Sequence, residues 1–156
     1  MVRAALILAL VAFTPASQSQ AQPPPNPTAK SIEDGSAQRK LDRARERWRK
    51  ARIHDYRFQL ARQCFCPPES WVLFVRADKP LRAPAAARQV ATVRRLHRRI
   101  QEAIDDRVSG LTVRYDKRGV PRLISIDPRA LTIDEEIGYN VEHFWRGTRG
   151  RGGPER

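Results

Sequence analysis

Two hydrophobic periods alternate along this chain, and the switches between them mark out its elements. Residues 38–53 contain neither glycine nor proline. Within them Leu41, Ala44, Trp48 and Ala51 or Arg52 recur at helical spacing among arginines and lysines. Trp48 is the side chain expected to seat this helix on the rest of the domain. The period then drops to two: Tyr56, Phe58 and Leu60 alternate with Arg57, Gln59 and Ala61, as in a half-buried strand. Cys64 and Cys66 continue the Tyr56 parity, Pro67-Pro68 stops the ladder and Glu69-Ser70 complete a turn. Trp71-Val72-Leu73-Phe74-Val75 is an unbroken run of bulky β-formers, which predicts a strand buried on both faces. The two runs read as an antiparallel hairpin with the cysteines near its turn.

Residues 78–87, with Pro80 and Pro84, read as a connection. A second helix is predicted over 91–108. Val93, Leu96, Ile100, Ala103 and Ile104 form its apolar stripe, Thr92 is its N-cap and Gly110 its C-cap. Leu111, Val113 and Tyr115 then alternate with polar residues, and Asp116-Lys117-Arg118-Gly119 supplies a hairpin turn with glycine where positive φ is required. Residues 120–127 form the return strand, with Pro121 confined to its start or to a sheet edge. After a loop to Glu136, Ile137, Tyr139, Val141, His143 and Trp145 alternate as the last strand, and His143 reads as a core histidine. The order α-β-β-α-β-β-β predicts an α+β fold, an antiparallel sheet of about five strands with two helices mainly on one face.

The ends change the picture of where this domain works. Met1-Val2-Arg3, the apolar run 4–13, Pro15 and the small residues at Ser19 and Ala21 have the layout of a secretory signal. Residues 1–21 are therefore expected to be a signal peptide cleaved near Ala21, delivering the chain to a periplasm or outside the cell. The absence of a cysteine near Ala21 disfavours a lipid anchor. No later stretch approaches the roughly 20 apolar residues of a membrane span. Residues 22–37 are rich in proline and small polar residues, which predicts a disordered linker. The domain is expected over 38–145, with a mobile arginine-glycine tail at 146–156.

Among 156 residues, 30 are Lys or Arg against 17 Asp or Glu, a formal charge of +13. Such a charge raises encounter rates with anionic partners: an envelope polymer, a lipid surface or an acidic protein. Arg94, Arg95, Arg98 and Arg99, on the outer face of the second helix, are the candidate anion-binding residues. Specific nucleic-acid binding is not expected of an exported chain, although the C-terminal tail has an arginine-glycine character.

The order of motifs resembles a known family. The tryptophan-bearing helix is followed by Asp55-Tyr56-Arg57-Phe58, then Cys64-Phe65-Cys66-Pro67, and Thr92-Val93 open the second helix. Val113-Arg114-Tyr115-Asp116, Gly119-Val120-Pro121, Ile126-Asp127, Asp134-Glu135-Glu136 and Tyr139-Asn140-Val141 follow. This is similar to the family of exported bacterial proteins catalogued as domain of unknown function 6174. The resemblance covers roughly residues 42 to 145 and implies a single α+β domain; it implies no activity.

Cys64 and Cys66 are the only cysteines. An oxidising compartment favours pairing, yet residues two apart on an extended strand lie roughly 6.6 Å apart at Cα, at the edge of disulfide reach. Three readings follow: a tight local disulfide, unpaired or intermolecular thiols, or a metal half-site. A metal would need more ligands, and His54, His97 and His143 have no zinc-like spacing. The acidic group Asp127, Asp134, Glu135 and Glu136 lacks the spacing of a calcium loop and is expected to pair with arginines. No nucleophile elbow, phosphate loop or paired metalloprotease histidines occur. The leading expectation is a non-catalytic envelope or secreted binding module with no cofactor. The alternative is a thiol-dependent redox or metal-handling protein centred on Cys64 and Cys66.

Overall fold

In a computed structural model of the chain, residues 26–130, 132 and 134–147 are described. The expected signal peptide, the first residues of the expected linker and all of the tail beyond Gly147 lie outside them. The elements are α1 (Lys30–Glu33), α2 (Ser36–Ala51), β1 (Tyr56–Cys64), β2 (Glu69–Arg76) and β3 (Lys79–Arg82). A 3-10 turn (Ala85–Val90) leads to α3 (Val93–Asp105), β4 (Gly110–Tyr115), β5 (Pro121–Asp127) and β6 (Ile137–Arg146). The strands form one antiparallel sheet in the order β3-β2-β1-β6-β5-β4. The α+β architecture expected from the periodicity is the one observed, with a sixth strand and two short helical segments added.

One face of the sheet carries the core. Leu41, Ala44 and Trp48 from α2 and Val93, Leu96, Ile100 and Ala103 from α3 are buried. Opposite them lie Tyr56, Phe58 and Leu60 of β1, Leu73 and Val75 of β2, and Ile124 and Ile126 of β5. Each large side chain sealed here contributes roughly 1.5–3 kcal/mol through area removed from water. Trp48 sits edge-on to Tyr56, ring centroids 5.3 Å apart, which makes it the anchor the sequence predicts. Tyr56 also accepts the Val93 backbone N–H at 3.0 Å, and Thr92 accepts that of Arg95, so two side chains cap the start of α3. Among the described residues, no helix is long and apolar enough to cross a membrane.

Several expectations are corrected. The chain over 26–37 is folded rather than a disordered linker: Asn26 donates to the Pro128 carbonyl and accepts from the Ala130 amide. Ala29 and Ala37 are also buried. Burial of small residues and long-range hydrogen bonds supply what composition alone does not reveal. Residues 78–87 are not a bare connection, because β3 forms there after a turn in which Ala77 and Asp78 both take positive φ. β2 is buried on one face only: Leu73 and Val75 are sealed, while Val72 is 51 % exposed. Gly110 does not cap helix α3: the helix ends at Asp105 with Asp106 as its C-cap, Arg107 follows in the left-handed position (φ 52°), and Gly110 opens β4.

The last strand departs most from its simple alternation. Gln59 pairs with His143 and Leu60 with Val141, so Glu142 is an extra residue on β6, a bulge. Beyond it the parity flips. Phe144 enters the core and stacks on Tyr56 at 5.3 Å, whereas His143 is exposed and Trp145 half-buried on the other face. His143 is therefore not a core histidine; burying a phenylalanine instead of an imidazole favours the bulged register.

Candidate functional site

Cys64 is the last residue of β1, paired with Ile137, and the chain bends through Phe65 and Cys66 before β2 begins. The bend takes Cys66 off the Tyr56 parity and brings the two cysteine Cα atoms to 5.1 Å, inside ordinary disulfide range rather than at its edge. The sulfurs face one another. Phe65 between them projects outward and is 81 % exposed, the most exposed large hydrophobic of the described residues.

This turn forms one wall of a cleft of 730 Å³, with the chain after β5 as the other. Gln63, Leu123, Ser125 and Gly138 contribute to its lining. Asp127, Asp134 and Glu136 border the cleft with Arg129. Arg129 pairs with Glu135 at 3.7 Å, and its backbone amide donates to Asp127. Among the described residues, no three His, Cys, Asp or Glu side chains gather where they would hold a metal ion.

The four arginines of α3 do not converge. Arg94 pairs with Asp78 at 3.4 Å, Arg95 donates to the Arg88 carbonyl, and Arg99 pairs with Glu102 at 3.4 Å. Arg98 is exposed and makes no ion pair with a described residue. Instead Arg94 joins Arg45 and Arg49 of α2 along a groove of 280 Å³ bordered by Trp48 and His97. The α2 contribution to this basic layer is invisible in α3 alone; the signal for it is the set of arginines interleaved with Leu41, Ala44 and Trp48, Arg45 and Arg49 among them.

His97 is the buried histidine of the described residues, at 3 % exposure. Its Nε2 lies 2.8 Å from the Gly119 carbonyl oxygen, which only accepts, so Nε2 carries the proton and donates. Burial lowers its pKa to about 4, so the ring is neutral near neutral pH. Gly119 itself has φ 88°, and a Cβ there would lie 2.0 Å from the Ala44 carbonyl oxygen of α2. The β4–β5 turn is thus wedged against both helices.

One family model matches the chain over residues 40–146. The chain belongs to the family of unknown function DUF6174. No curated protein and no solved structure matches it. The DUF6174 match spans α2 through β6, so the Cys64–Cys66 turn, the cleft and the basic helices all lie within the family domain.

Proposed function

We propose that this DUF6174 domain is an exported, non-catalytic binding module that presents its helical layer to an anionic envelope component or an acidic protein. The observation that carries this reading is the groove between α2 and α3, where Arg45, Arg49 and Arg94 converge beside Trp48. Exposed Arg98 extends the same basic surface. Electrostatic docking of this kind weakens as salt rises, because surface charges are screened beyond about 8 Å at physiological ionic strength.

The test is co-sedimentation of the purified chain with anionic and neutral vesicles, and with a polyanion, across a salt series. The reading expects retention on the anionic partners at low salt, lost at high salt and lost in an Arg94→Glu, Arg98→Glu variant. Indifference to every anionic partner at low salt contradicts it. The leader is tested separately: N-terminal sequencing of protein recovered from cells is expected to start just after Ala21.

A second reading rests on the Cys64–Cys66 turn at the rim of the 730 Å³ cleft, beside exposed Phe65. There the pair is a disulfide in the native compartment and exchanges with dithiols. Mass spectrometry with and without alkylation decides it. A pair that is oxidised, inert to dithiols and indifferent to metal removes this reading.

A further inference from the structure

β4 ends the sheet on the side opposite β3, and nothing described pairs with its outer edge. In an antiparallel ladder, alternate residues of an edge strand turn both N–H and C=O away from their partner. No backbone or side-chain hydrogen bond from a described residue reaches those outward groups between Gly110 and Tyr115. Beside this edge runs a groove of 180 Å³ lined by Leu111, Val113 and Tyr115 of β4, Ile100 of α3, and Ala37 and Lys40 of α2. That volume falls below the roughly 300–1,000 Å³ of small-molecule sites and suits protruding side chains. Tyr115 has a half-buried ring whose hydroxyl makes no hydrogen bond with a described residue.

Charge selects the occupant. Lys40 borders the groove on the helix side, and Arg114 stands exposed on the other flank of the strand. Neither makes an ion pair with a described residue, whereas Arg45, Arg49, Arg94 and Arg99 of the helical layer do. A second copy adding its own β4 would bring two chains of charge +13 together with these cations along the seam. An acidic strand meets the opposite situation.

We propose that β4 accepts an extended segment of an acidic protein as a seventh strand, with apolar side chains entering the groove on the helix side and carboxylates on the opposite face, alongside Arg114. This names the partner class of the binding reading and rests on it. Six residues of β4 offer about 20 Å of edge, enough for a peptide of similar length. Main-chain hydrogen bonds supply affinity here, and the alternation of side chains supplies specificity.

The probe is a fluorescent peptide of alternating valine and glutamate, flanked by glycine, titrated into the full chain at low salt. Two N-methylated versions carry the methyl groups on opposite alternate amides. Strand addition expects one version to lose about tenfold or more in affinity, as two lost hydrogen bonds imply, and the other to change less than about twofold. It also expects Arg114→Glu to weaken binding, and β4 amides to gain hydrogen-exchange protection with peptide. Equal losses for both methylated versions, or no protection between residues 110 and 115, overturn the proposal. So does a dimer of the free chain with these amides already protected, which assigns the edge to a second copy. Failure of the peptide while anionic vesicles or polyanions still bind removes the edge site and leaves the binding reading standing. Failure of all of them removes both.

Discussion

β3 closes one side of the sheet with four residues, a proline at position 80 and a register shift against β2 between Phe74 and Val75. β4 closes the other side with six residues, five of them in register from Gly110 to Arg114 and a shift against β5 only at Tyr115. The first has the features by which proteins discourage edge-to-edge pairing: shortness, proline, an irregular ladder and the basic residues Lys79 and Arg82 at its two ends. The second has β-branched and aromatic residues, a groove alongside and outward backbone groups that no described residue meets. One edge is finished; the other is built to be extended.

The edges also differ in how they are held. β3 hangs from a turn whose Ala77 and Asp78 adopt positive φ, steadied by Asp55 accepting the Ala77 amide and by His54 beside Asp78 at 2.8 Å. β4 is fixed by its far turn, where Gly119 meets α2 and its carbonyl accepts from His97 of α3. A pre-positioned edge loses less entropy when a strand is added, which is the advantage of rigidity in binding.

The largest effect should come from removing the rigid anchor. Gly119→Ala places a Cβ against the Ala44 carbonyl and forces an alanine to φ 88°. A loss of about 4 kcal/mol or more is expected in urea unfolding, or no folded protein at all. If the variant is near wild type, the β4 turn is not wedged as described.

Acid should loosen the same anchor more gently. The folded pKa of His97 is lowered to about 4 from 6.5, because burial opposes the charged ring. The unfolded chain therefore binds more protons between these values, and stability rises with pH across that window. The contribution is complete above about pH 6.5 and falls by roughly 1.4 kcal/mol per pH unit down to about pH 4, near 3 kcal/mol in all. Chemical denaturation from pH 7 to 4 checks it, and a His97→Gln variant should lose most of this slope.

At the finished edge the sign reverses. Ala77→Gly relieves a left-handed backbone position and should stabilise the fold by about 1 kcal/mol, read as a rise in urea midpoint. The smallest stability change belongs to Arg114→Glu, an exposed site with no ion pair to a described residue, where less than about 0.5 kcal/mol is expected. The same variant should nonetheless weaken binding of the acidic probe, which separates recognition from folding at β4.

How legible this was depends on how local the cause is. α2, α3 and the apolar faces of β1, β4 and β5 follow from spacing, because a single buried face imposes its period on the residues that make it. The bulge at Glu142 escapes such reasoning, since the choice of Phe144 over His143 is made by Tyr56 and Trp48, distant in sequence. β3 is masked by the features that blunt it, Pro80 and the basic residues around it. The ordered segment at 26–29 looks like a linker because its partners, Val108, Pro128 and Ala130, come from the other end of the chain. The arginines of α3 suggested an anion site, but the groove takes only Arg94 of them and adds two from α2. The open edge of β4 is a property of sheet order, which no run of residues displays.

The most direct test of that edge is residue-resolved amide hydrogen exchange over 110–115, with and without the valine-glutamate peptide. The account predicts that alternate β4 amides exchange quickly in the free chain and slow markedly with peptide, while the amides of β3 do not change. Slow exchange at every β4 amide in the free chain, or protection that appears at β3 instead, would contradict it.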